Sequence, residues 1–278
     1  MKTKIDVQDE MLEWLYSPDW EYCDYGDCKR YLQMILPYKK QWGENERFPV
    51  ILFIPGSAWL KQEMYNDIPK LTMLARRGFA IAVMQYREAG LAQFPAQIAD
   101  VKNAISFLQS KSEECHLDME RLFLMGNSSG GHIAMMAALW NANGLCEPFP
   151  MAKGVICQCG STDILTCAQA PLPPWRPVRP SALLLGVESV EENRECAEKA
   201  SCGMYIQKDI PLPPILLMHS DHDLIVSVEN SRKLYEKLAQ TEHEVYYYEL
   251  RNSTSHGGAT YFSEPVLNII ADFMEKCR

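Results

Sequence analysis

The sequence predicts an α/β domain built on a mostly parallel sheet with helices on both faces. Three observations carry that prediction. Short continuous apolar runs, such as Pro49-Val50-Ile51-Leu52-Phe53-Ile54, have the look of strands covered on both sides. They alternate with segments of helical periodicity, as successive strand–helix–strand units do. A Gly-x-Ser-x-Gly stretch, Gly126 to Gly130, lies between one such run and one such helix.

The elements follow in order. Residues 1–48 are polar and aromatic, with Trp14, Tyr16, Trp20, Tyr22 and Tyr25. Within them, Cys28 to Tyr38 alternates weakly and reads as an outer antiparallel strand. Residues 49–54 form a central strand ending at Pro55-Gly56. Residues 60–77 read as a helix closed by Gly78, and 79–84 as the next strand. Residues 97–108 place Ile98, Val101, Ile105 and Leu108 on one helical face. Leu122-Phe123-Leu124-Met125 is a buried strand, and the helix after Ser128 follows it. Residues 153–159 form another. The stretch from about 161 to 212 breaks the rhythm. Its run Pro171-Leu172-Pro173-Pro174-Trp175-Arg176-Pro177-Val178-Arg179-Pro180 is too proline-rich for a core element. It is either a cap or lid inserted over the functional face or a plain surface excursion. Strands at 214–219 and 244–250 bracket a helix at 229–240, and a helix at 265–276 closes the chain. The expectation is one domain over residues 1–278 with an insertion at about 161–212. There is no internal repeat and no low-complexity tract.

Bulk properties remove several function classes. The chain has 278 residues, 47% of them hydrophobic, ample for one large core. A net charge of −9 argues against nucleic-acid or anionic-membrane partners, which need basic surface. Met1 to Glu10 carries no apolar signal-peptide core, and no apolar run approaches the roughly 20 residues of a membrane span. Ten cysteines without a secretory signal point to reduced thiols and a cytoplasmic location. Cys157 and Cys159 alternate along a strand, and no second ligand pair lies at zinc spacing, so no metal is expected. Nothing in the sequence sets the oligomeric state.

Chemistry gathers in loops after strands, where open parallel sheets place their ligands. A serine on a sharp strand-to-helix turn presents its hydroxyl above the sheet. Gly126 and Gly130 leave room for that turn and accept conformations other residues resist. The helix that follows aims free N–H groups and its positive dipole end at the same spot. A plain turn with a capping serine would carry the same letters, so the other loops must decide. Pro55-Gly56-Ser57-Ala58-Trp59 holds small residues whose backbone N–H groups can approach a ligand. Trp59 is either a pocket wall or a core anchor. His219-Ser220-Asp221-His222-Asp223 and Asn252-Ser253-Thr254-Ser255-His256-Gly257-Gly258 complete the set.

A serine hydroxyl needs a base to take its proton, and the base needs a carboxylate on its far nitrogen. Ser128, Asp223 and His256 stand in the order Ser…Asp…His expected for such a turn. Asp221 and Asp163 compete for the acid, and Asp221 alternatively orients its loop. His132, one turn into the helix, reads as structural, and His219 as packed.

These stretches resemble the α/β-hydrolase superfamily, and within it the carboxylesterase and acetyl-esterase branch related to hormone-sensitive lipase. The likeness covers roughly residues 48–275. It rests on Gly56-Ser57-Ala58-Trp59, Tyr86-Arg87, Phe94 to Val101, Gly126 to His132, and the Asp223 and His256 loops. It implies a triad of Ser128, Asp223 and His256, and an oxyanion hole from the backbone N–H groups of Ser57, Ala58 and Ser129. The chain departs from the family's His-Gly-Gly-Gly loop, reading Pro55-Gly56-Ser57-Ala58. The resemblance also implies an acyl-serine mechanism on a small-molecule ester, such as an acetyl ester of a sugar or small alcohol. No metal or organic cofactor is required. The expected acid limb of activity lies at roughly pH 6–7, where an ordinary imidazole loses its proton. Cleavage of an amide by the same triad, as an arylformamidase or small peptidase, is the alternative. A non-enzymatic ligand binder would have no need of all three residues.

Overall fold

The computed structural model describes residues 3–6, 12–39, 43, 46–169 and 178–277. Eight strands form one sheet: β1 (Glu13–Asp24), β2 (Lys29–Tyr38), β3 (Phe48–Ile54), β4 (Ala80–Met84), β5 (Leu117–Asn127), β6 (Gly154–Gln158), β7 (Ile215–Ser220) and β8 (Val245–Leu250). Their spatial order is β1-β2-β4-β3-β5-β6-β7-β8. β1 pairs antiparallel with β2, and β2 with β4, while every other neighbour is parallel.

Alternation sorts the core onto both sides of the sheet. Val50, Leu52 and Ile54 of β3 pack into one cluster with α2 (Ala96–Ser110) and α3 (Ser129–Ala142). Ile51 and Phe53 pack into the other with α1 (Ile68–Ala75) and α8 (Glu264–Lys276). β3, β4, β6 and β7 are buried along their whole lengths. That is why their sequences read as unbroken apolar runs.

Two elements differ from expectation. The helix read over residues 60–77 is only Ile68–Ala75, and turns occupy residues 64–67 ahead of it. Pro69 in its first turn marks the start, where a missing N–H costs nothing. β1 was not foreseen. Most of its residues are exposed or half-buried, and its pairing with β2 slips twice, so no clean two-residue period survives.

Among the described residues beyond β6 lie three short helices: α4 (Ile164–Ala168), α5 (Pro180–Leu185) and α6 (Arg194–Lys199). A 3-10 turn at Cys202–Tyr205 follows, then α7 (Glu229–Gln240) after β7. Pro171 to Pro177 of the proline-rich run lies outside the described residues. Phe94 N–H donates to Leu184 O at 2.9 Å, and His132 Nε2 meets Ala200 O at 2.7 Å, so this segment is tied to the main domain. Among the described residues, no helix is long and apolar enough to cross a membrane.

The order β4-β3-β5 positions the site. The chain runs from β3 to one side, then returns to the other, and a crevice opens above the switch. In register, Ile54 faces Gly126, Asn127 faces Gln158, and Ser220 faces Leu250. The loops after β3, β5, β6, β7 and β8 therefore emerge side by side.

Candidate active site

Ser128 follows β5 with φ 53 and ψ −125, a backbone conformation sparsely populated by L-residues. It sits at the cap position of α3, yet its side chain makes no capping hydrogen bond. Its Oγ instead lies 2.8 Å from His256 Nε2. That excludes the plain capping turn.

The two glycines of the turn act by space. Neither takes a positive φ, which differs from the conformational role expected of them. A Cβ on Gly126 would lie 2.4 Å from Gly130 C, and one on Gly130 would lie 1.9 Å from Ile54 O. The turn is pressed that closely against β3 and the loop after it. Gly56 meets the same limit, since a Cβ there would be 2.7 Å from Asn127 O and 2.8 Å from Ser128 Cβ.

His256 Nδ1 lies 2.7 Å from Asp223 Oδ2. With Nδ1 donating to the carboxylate, Nε2 is left to accept from Ser128 Oγ. Asp223 is fixed from both sides. Its Oδ1 accepts from Ile225 N–H at 2.8 Å and Val226 N–H at 3.0 Å, and His219 Nε2 stands 3.4 Å from Oδ2. Burial alone would raise this carboxyl, but hydrogen bonds from His219 and His256 outweigh it and hold it well below the usual carboxylate range. Burial likewise opposes the His256 imidazolium. The facing Asp223 carboxylate and Cys159 sulfur outweigh it, and the imidazole is raised above its ordinary value. The expected limb at pH 6–7 therefore moves upward.

The competing acids have other work. Asp221 accepts from the N–H groups of Asn252 and Ser253, each at 2.9 Å, and so shapes the loop that carries His256. Asp163 caps α4 through Thr166 N–H at 3.2 Å and Thr166 Oγ1 at 2.7 Å.

The loop after β3 departs from expectation at Ser57. Its N–H donates to Ser129 Oγ at 2.9 Å and is not free for a ligand. Gly56 N–H is also taken, by Asn127 Oδ1 at 2.6 Å. Ala58, at φ 55, and Ser129, in the first turn of α3, keep N–H groups that meet no hydrogen-bond acceptor among the described residues. Trp59 is a core anchor. It is 4% exposed, and its Nε1 donates to His132 Nδ1 at 3.1 Å. His132 then donates from Nε2 to Ala200 O, and burial pushes its imidazole down to about 4, so it stays neutral.

Sequence reading missed the residues that brace this loop. Tyr86 OH lies 2.8 Å from Ser57 Oγ and 3.3 Å from Ser129 Oγ, linking the two loops from below. Burial raises that phenol to about 12, so it acts as a neutral hydroxyl. Arg87 next to it is held by Asp100 through Nε at 2.8 Å and through its own N–H at 2.7 Å. Gln97 donates to Arg87 O at 2.9 Å and Ala92 O at 2.8 Å. The signal was present in the Tyr86-Arg87 and Phe94 to Val101 stretches, whose roles only their pairing reveals.

Comparison with known proteins places this geometry in context. A family model described as BD-FAE matches residues 34–238. The chain is similar to Esterase LipC of Mycobacterium tuberculosis, 26% identical over 245 residues, covering 84% of this chain and 58% of that protein. It is also similar to Probable carboxylic ester hydrolase LipM of the same organism, 25% identical over 214 residues, covering 75% of this chain and 49% of that one. The chain thus spans about half the length of these curated relatives. Among solved structures, a truncated form of carbohydrate esterase from gut microbiota superposes with a TM-score of 0.80 at 22% identity, covering 97% of this chain and 98% of that one.

Proposed function

The chain belongs to the BD-FAE family and has the α/β-hydrolase fold, and from that premise we propose that it is a serine carboxylesterase. The observation that carries this reading is the hydrogen-bonded line from Asp223 through His256 to Ser128. In the proposed reaction, His256 Nε2 takes the Ser128 proton as Oγ attacks the ester carbonyl. Asp223 holds the imidazole in the required tautomer and balances the imidazolium. The N–H groups of Ala58 and Ser129 receive the oxyanion, and losing one such donor costs about 3–4 kcal/mol in similar sites. His256 returns its proton to the leaving alcohol. Water then hydrolyses the acyl-serine with the same base. The chemistry calls for no metal or organic cofactor.

The substrate in this proposal is a short-acyl, acetyl-type ester of a sugar or small alcohol. Likeness of fold to a carbohydrate esterase, nearly end to end, supports it. The proposal also assigns residues 161–212 as a cap on the main domain and the chain to the cytosol, where its ten cysteines, all free thiols, would remain reduced. A panel of aryl esters of rising acyl length, run beside amides with the same leaving group, tests the reading. Acetyl or propionyl esters are expected to give the highest kcat/KM. Faster cleavage of the amides would replace it with the amidase alternative.

A further inference from the structure

Cys157 and Cys159 do not act as a pair. Cys157 packs into the cluster beneath α3, and Cys159 into the cluster on the opposite face. Cys159 is the first residue after β6, fully buried, with φ 42 and its N–H donated to Met218 O at 2.8 Å. That left-handed conformation holds its sulfur beside the triad. A ligand atom from each of Cys159, Asp223 and His256 lies within 4.8 Å of the other two.

We propose that Cys159, Asp223 and His256 form a binding site for a thiophilic divalent cation, zinc above all, that silences the Ser128 nucleophile. The donor set argues for the metal. One thiolate, one imidazole and one carboxylate suit zinc and its neighbours, whereas magnesium and calcium take oxygen ligands. The size fits as well. Around tetrahedral zinc, with bonds of about 2.0–2.3 Å, ligand atoms stand roughly 3.3–3.7 Å apart. The His256–Asp223 contact of 2.7 Å must open by less than about 1 Å to meet that spacing, and the sulfur, within 4.8 Å of both partners, need close in by no more than about 1 Å. The Asp223 side chain and Cys159 are buried and the His256 side chain is mostly so, which shields the site from competing water.

The consequences follow from proton accounting. Binding releases the Cys159 thiol proton as the metal thiolate forms and, where His256 is an imidazolium, one of its protons as well, with no redox change. If His256 Nδ1 takes the metal, its proton moves to Nε2, which then donates to Ser128 rather than accepting from it. If Nε2 takes the metal, the lone pair that serves Ser128 is consumed. Either way the base is lost. The metal is an inhibitor of the proposed reaction and not its cofactor.

Binding itself does not depend on the esterase reading, whereas inhibition does. Titration of the wild-type protein with cobalt(II) is expected to give a thiolate-to-metal charge-transfer absorption that saturates at one equivalent. Cys159→Ser should lose it, and Cys196→Ser, at an exposed thiol, should keep it. Zinc, but not magnesium, should inhibit ester hydrolysis, and a chelator should restore it. Cys159→Ser should raise the half-inhibiting zinc concentration by at least about 10-fold, the smallest loss usual for removing even a supporting partner of a metal site. If the variant fails to fold, X-ray absorption on the wild-type zinc complex decides. One sulfur at about 2.3 Å with nitrogen and oxygen near 2.0–2.2 Å supports the site. An all-oxygen shell, a band unchanged in Cys159→Ser, or equal inhibition of both proteins by zinc overturns it. Saturable zinc binding with this ligand set but undiminished hydrolysis would support the site and count against the triad.

Discussion

Gly130→Ala tests how tightly the Ser128 turn depends on β3. The added Cβ would lie 1.9 Å from Ile54 O, 2.6 Å from Ile54 C and 2.9 Å from Pro55 C. All three are backbone atoms, so no side chain can swing aside. Relief to an ordinary contact, near 3.5 Å, needs a shift of more than about 1 Å between two buried segments. Overpacking of this kind costs about 1–3 kcal/mol, and the upper end is expected where the clash is with strand backbone. The shift also separates Ser128 from Ala58 across the loops that are proposed to grip one substrate. A misplacement of about 1 Å can lower turnover by 10²-fold. Urea unfolding should show a lower midpoint with unchanged slope, and kcat/KM on a short aryl ester should fall about 100-fold. Gly203→Ala, whose Cβ would meet nothing within 4 Å, serves as the control and should match wild type in both assays. A Gly130→Ala protein with wild-type midpoint and turnover would refute the steric account of the turn.

Further predictions concern the same network. Asp223→Asn keeps the shape of the line but presents a donor to His256 Nδ1, and kcat should drop about 10⁴-fold by steady-state assay. The base must be neutral to act, and its folded-state pKa is raised, so the acid limb of kcat/KM should lie above the ordinary imidazole value near 6.5. A pH–rate profile already flat from pH 6.5 upward would contradict it. Asp100→Ala leaves Arg87 without its buried partner, and denaturant unfolding should show a loss of about 3–5 kcal/mol. Tyr86→Phe removes the hydroxyl between Ser57 and Ser129. Both serines keep another partner, so stability should fall by only about 1 kcal/mol in the same assay.

β3, β4, β6 and β7 were legible because burial on both faces writes itself as apolar runs, and the loops after the strands gave the order Ser128, Asp223, His256. What the letters withheld depends on distant partners. Ser57 reads as a free donor until Ser129 Oγ is seen to accept from it. Trp59 reads equally as wall or anchor until His132 supplies the acceptor its indole N–H needs when buried. His219 reads as a packed residue, and it is one, but its packing also braces Asp223. β1 was hidden because an exposed edge strand with a positive φ at Asp19 and two register shifts leaves no regular period.

The central claim is that Ser128 is acylated during turnover. The most direct measurement is mass spectrometry of the protein quenched during hydrolysis of a short aryl ester, with peptide mapping of the adduct. The account predicts one acyl group per chain, on Ser128, formed in a burst with the released alcohol and absent from Ser128→Ala. Turnover with no acyl adduct, an adduct on another residue, or wild-type hydrolysis by Ser128→Ala would contradict it.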